Sequence, residues 1–151
     1  MLVIGCGNRQ RGDDAAGILA AERLRELGVP AQICGGEATA LMETWYGAND
    51  VIVIDAVLTG ARPGTLHIWD GSQALPSCFS VTSTHGLGVA EAIELARALG
   101  RLPARLRVWA IEGLQFDLGS DVSPPIRQAT EQAALEIAAE ANSPELVGAA
   151  G

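Results

Sequence analysis

Six side chains in this 151-residue sequence stand where α/β proteins usually do their chemistry, just after apolar, strand-like runs. Asp13 and Asp14 follow the run Leu2–Cys6, and Glu37 follows 31–34. Asp55 closes Val51–Ile54, His85 precedes a helical stripe, and Glu112 closes 106–111. Asp14, Asp55 and His85 together offer two hard carboxylate oxygens and one imidazole nitrogen. That donor set suits nickel, zinc, manganese or iron, with coordination positions left open for a substrate. The three are far apart in sequence, so no local motif defines the site and only a fold can assemble it.

Each of these residues also has a plainer reading. Asp13 offers an N-cap, and both Asp13 and Asp14 would favour the positive end of a first helix. Ser83 or Thr84 could cap a later helix and leave His85 as a polar loop residue. Asp55 is harder to dismiss, because a carboxylate ending so apolar a strand is costly if buried without a partner. His67 alternates within 65–69 and reads as a solvent-facing strand residue outside the site. Cys6 could act as a thiolate nucleophile paired with His85, although a small buried hydrophobe is the simpler role. Gly5-Cys6-Gly7 begins a dinucleotide-type loop, but Arg9, Gln10 and Arg11 follow instead of the remaining glycine.

The elements that must position these groups alternate. Strands are expected at 2–6, 31–34, 51–54 running into Asp55, 65–69 and 106–111. Helices are expected at 14–27, 38–46, 86–99 and from Ser123-Pro124 to about Glu140, with Gly28 and Gly100 as stops. Only nine residues lie between Asp55 and Thr65, and they include Pro63-Gly64. That is too short for a parallel crossover, so the fourth strand is placed antiparallel. The expected fold is a single three-layer α/β domain over residues 1–141. It has a mostly parallel twisted sheet of about five strands, one of them antiparallel, helices on both faces, and a flexible tail from 142 to 151.

Composition narrows the function classes. Apolar residues make up 48% and charged residues 19%, which fits a globular domain and not a disordered chain. A net charge of -8 without a basic cluster argues against nucleic acid as a partner. No apolar run is long enough to span a bilayer, and the start lacks a secretory signal, so a cytoplasmic location is expected. Cys6, Cys34 and Cys78 lack C-x-x-C spacing and read as reduced thiols.

The motifs then carry a resemblance. Gly5-Cys6-Gly7-Asn8, Gly12 to Gly17, Val53-Ile54-Asp55-Ala56, Pro63-Gly64-Thr65, Ser83 to Gly88 and Ile111-Glu112-Gly113 resemble the hydrogenase maturation proteases in order and spacing, through Glu140. The resemblance implies an endopeptidase that removes the C-terminal extension of a nickel-iron hydrogenase large-subunit precursor after nickel insertion. It also implies that Asp14, Asp55 and His85 contact that nickel; the same three are the candidates for catalysing the cleavage, with metal recognition the firmer role, and a monomer is expected. Asp13, Glu37 and Glu112 are expected behind them as supporting groups. Around Cys34-Gly35-Gly36-Glu37 many relatives carry an aspartate before a glycine pair, and Glu37 either replaces that acid or is a surface charge. The metal belongs to the substrate on this reading, so no tightly bound organic cofactor is expected. The rivals are a non-catalytic nickel-binding chaperone and a nucleotide-binding domain.

Overall fold

The computed structural model describes residues 1–76 and 87–143. Cys78, Ser83, Thr84 and His85 lie outside these residues, as does 144–151 of the expected tail. In chain order the elements are β1 (Leu2–Cys6), a 3-10 turn (Gly12–Ala15), α1 (Ala16–Glu26), β2 (Ala31–Cys34) and α2 (Ala38–Trp45). There follow β3 (Asp50–Val57), β4 (Leu66–Asp70), α3 (Leu87–Ala98), β5 (Arg105–Glu112) and α4 (Pro124–Ala141).

The five strands form one sheet in the order β2-β1-β3-β5-β4. All neighbours are parallel except β4, which runs antiparallel to β5. The short connection after β3 dictates this, since it cannot carry a crossover helix. The β-branched run at the centre is buried on both sides, as a parallel strand between two helical layers must be. Ile52 and Ile54 pack with Val3, Leu24 of α1 and Ile126, Ala133 and Ile137 of α4. Val51 and Val53 pack on the opposite face with Ile4, Leu41 and Trp45 of α2 and Val89 and Ile93 of α3.

Two boundaries differ from the sequence expectation. Strand β3 does not end at Asp55 but continues to Val57, because Ala56 and Val57 pair with Ile111 and Glu112 of β5. The first helix begins with a 3-10 turn in which Asp13 caps nothing; the preceding position is Arg11, which makes no side-chain cap. Ser123 does occupy the N-cap position of α4, and Arg97 pairs with Glu94 at 3.5 Å on α3.

Candidate active site

The carboxyl ends of β1 and β3 meet the start of α1 at very short range. A methyl group on Gly17 would lie 2.3 Å from the Ile54 carbonyl oxygen and 2.4 Å from that of Cys6, so only glycine lets the helix sit so close. This contact brings Asp14 to the strand ends. Asp14 is 2% exposed and lines a crevice of about 550 Å³ with Gly7, Asn8, Gly36, Glu37, Gly88 and Glu91.

Asp55 lies beneath this region. Val51, Val53 and Val57 belong to the α2 and α3 side, and strand alternation puts Asp55 on that side with Cys6 and Cys34. Its Oδ1 accepts the Ala56 N–H at 2.9 Å, while Oδ2 is buried and has no hydrogen-bond partner among the described residues. Burial pushes the Asp55 carboxyl well above the usual carboxylate range, and the nearby charge of Asp14 pushes it further. A nearby cation would favour the charged form of Asp55 and so oppose both effects. Among the described residues no three candidate ligands converge, and His85, the third expected ligand, lies outside them.

Other expected residues are placed differently. Asp13 is fully buried and acts as a clamp: its Oδ2 accepts the N–H groups of Leu114 (2.8 Å) and Gln115 (2.9 Å) and the Ser123 hydroxyl (3.0 Å), while Oδ1 accepts the Ser123 N–H (2.7 Å). It thereby ties the loop after β5, and the start of α4, to the start of α1. Glu37 is exposed at the crevice rim and makes no side-chain cap on α2.

Glu112 is engaged on the β4 side of β5. It is buried and accepts hydrogen bonds from the Thr59 N–H at 2.7 Å, the Thr59 hydroxyl and His67 Nε2 at 3.1 Å. His67 is therefore not a solvent-facing strand residue. The antiparallel register sets it opposite Ala110, on the inner face beside Glu112, and that register is absent from the sequence pattern.

Cys6 and Cys34 are register partners on β1 and β2, both buried and free. Hydrogen bonding with Cys34, then burial, push the Cys6 thiol up, the opposite of what a thiolate nucleophile needs. Cys34 is lowered to about 6, chiefly by the hydrogen bond from Cys6 and, against the effect of burial, by the N–H groups of Gly36 and Gly35.

The fold and the crevice define an α/β domain with paired acids at the carboxyl edge of a mostly parallel sheet. A family profile described as hydrogenase maturation protease matches residues 33–140, and the chain belongs to that family. The hydrogenase expression/formation protein HoxM of Azotobacter vinelandii is 30% identical over 151 residues, covering 93% of this chain and 72% of that one. Protein FrxA of Pyrococcus furiosus is 29% identical, covering 81% and 90%. Among solved structures, the [NiFe] hydrogenase maturation protease HybD from Thermococcus kodakarensis superimposes with a TM-score of 0.75 at 27% identity, covering 94% of this chain and 98% of that one. An Escherichia coli endopeptidase has the same fold, with a TM-score of 0.78 at 24% identity and 93% coverage of both chains. The protein is thus a peptidase. Among the described residues no helix is long and apolar enough to cross a membrane.

Proposed function

We propose that this peptidase removes the C-terminal extension of a nickel-iron hydrogenase large-subunit precursor once nickel has been inserted, and that Asp14, Asp55 and His85 contact the precursor's nickel. The observation that carries this reading is the buried Oδ2 of Asp55, which has no partner among the described residues, beside Asp14 at the carboxyl end of the sheet. Two acids that repel one another in a dry site are stabilised by a bound cation, and carboxylate oxygens with one imidazole are a competent set for divalent nickel. The printed names of HoxM and of the Thermococcus protease, which speak of hydrogenase formation and [NiFe] hydrogenase maturation, point to the same substrate class.

In this scheme nickel is part of the substrate. Its arrival supplies the missing charge, fixes the precursor against the crevice and holds the cleavable bond in place. The chain acts as a cytoplasmic monomer and holds no tightly bound cofactor of its own. Incubating the protein with a nickel-loaded precursor and measuring the precursor's mass tests the reading. Loss of a C-terminal segment with nickel, and none without it, is expected. An intact precursor in both conditions would refute it.

A further inference from the structure

The proposed reaction leaves one polar cluster on the same sheet face unused. Glu112, 0% exposed, directs its carboxylate to Thr59 and to His67 Nε2. An ionised carboxylate only accepts, so the bond to His67 is assigned as an Nε2–H donated to Glu112. The imidazole also stacks on Trp69, with ring centroids 5.1 Å apart and 19° between planes. Both contacts fix the ring. They leave Nδ1 with no partner among the described residues, on a side chain that is still 21% exposed.

The sheet register relates this ring to the acid pair. Asp55 pairs with Ala110 of β5, and Ala110 pairs with His67 of β4, so the three share one row across the sheet. At roughly 4.8 Å per strand, Asp55 and His67 stand about 10 Å apart along the backbone, separated by the smallest side chain with a Cβ. Among the described residues β4 is the outermost strand of the sheet, and the partial exposure of His67 lies on that strand. A fully buried carboxylate is costly unless its bonds repay it, and an apolar pair would fill this edge at less cost. The arrangement suits an imidazole that must be held in one orientation for an incoming partner.

We propose that His67 is a substrate-recognition residue of this protease, held by Glu112 so that Nδ1 hydrogen-bonds the main chain of the precursor's C-terminal segment as it enters from the β4 side. Glu112 is the positioning residue and Trp69 the platform. The inference rests on the peptidase reading above and extends it to a residue on the far side of β5.

The test is steady-state cleavage of nickel-loaded precursor by the wild type, His67→Phe, which keeps a ring against Trp69, and Glu112→Gln. For His67→Phe, KM is expected to rise about tenfold with kcat within about twofold, the effect of one lost hydrogen bond to substrate. For Glu112→Gln, a smaller KM rise is expected. An unchanged KM in His67→Phe overturns the proposal, and so does a fall in kcat at constant KM, which would place His67 at the reacting atoms. In case the variants fold poorly, the wild type decides: precursor should slow the reaction of His67 with diethyl pyrocarbonate, read by peptide mass, and equal labelling with and without precursor overturns the proposal. A wild type that leaves the precursor uncut removes the peptidase-substrate reading and this inference together. Wild-type cleavage with an unaffected His67→Phe removes this inference alone.

Discussion

Two buried carboxylates close neighbouring strands of this sheet, and they are treated in opposite ways. Glu112, at the end of β5, is surrounded by donors: the Thr59 amide, the Thr59 hydroxyl and the His67 ring. Asp55, near the end of β3, receives one amide bond and keeps an oxygen that no described residue satisfies. Burial costs both groups solvation, but among the described residues only Glu112 recovers it in full. A satisfied acid positions its neighbours, whereas an unsatisfied one is poised for something that arrives from outside. Asp13, like Glu112, is satisfied within the chain, by four hydrogen bonds, and its neighbour Asp14 lines the crevice.

The sharpest way to break this comparison is Asp55→Asn. If Asp55 contacts the precursor's nickel as proposed, cleavage of nickel-loaded precursor should fall by at least about 100-fold, because the substituted amide cannot offer the carboxylate charge. The same change should stabilise the folded protein at neutral pH. The Asp55 carboxyl titrates above its ordinary value in the folded state, so its stabilising contribution is present at pH below about 4 and is lost as pH rises through the raised value. Thermal melts across pH 4–8 should therefore show the variant gaining on the wild type as pH increases. A variant that loses stability at pH 8 would contradict the unsatisfied state of Asp55.

The satisfied acids should behave in the reverse manner. Asp13→Ala leaves three backbone N–H groups and a hydroxyl without their acceptor, and should cost about 3 kcal/mol in urea unfolding. A cost under about 1 kcal/mol would mean that the clamp between the start of α1 and α4 is dispensable. Glu112→Gln retains the shape but turns one acceptor into a donor facing Thr59 or His67, so a loss of about 2 kcal/mol is expected by the same measurement. Equal stability for this variant would erase the distinction drawn from Glu112.

The smallest effect concerns the cysteine pair beside Asp55. Cys34, lowered to about 6, should react with iodoacetamide along a curve whose midpoint lies near that pH, while Cys6 stays unreactive until the protein unfolds. Peptide mass mapping separates the two sites. Labelling of Cys6 ahead of Cys34 would reverse the assignment of donor and acceptor in the pair.

Much of this was legible from residue order. The β-branched run before Asp55, the capping and stop signals around the helices and the short Pro63-Gly64 connection determined five strands, four helices and the antiparallel sense of β4, because these depend on local sterics and hydrophobic period. The same order marked Asp14 and Asp55, since residues at the carboxyl ends of strands face the crevice in such sheets. Local pattern could not tell Asp13 from Asp14, because their difference lies in Leu114, Gln115 and Ser123, a hundred residues away. Nor could it place His67. Its alternation in β4 fits either face, and only the pairing with Ala110 decides that it turns inward to Glu112. Sequence thus determined which acids stand at the strand ends. The tertiary structure decided which of them the described residues satisfy, because hydrogen-bond partners are supplied by register and by helix packing, both non-local.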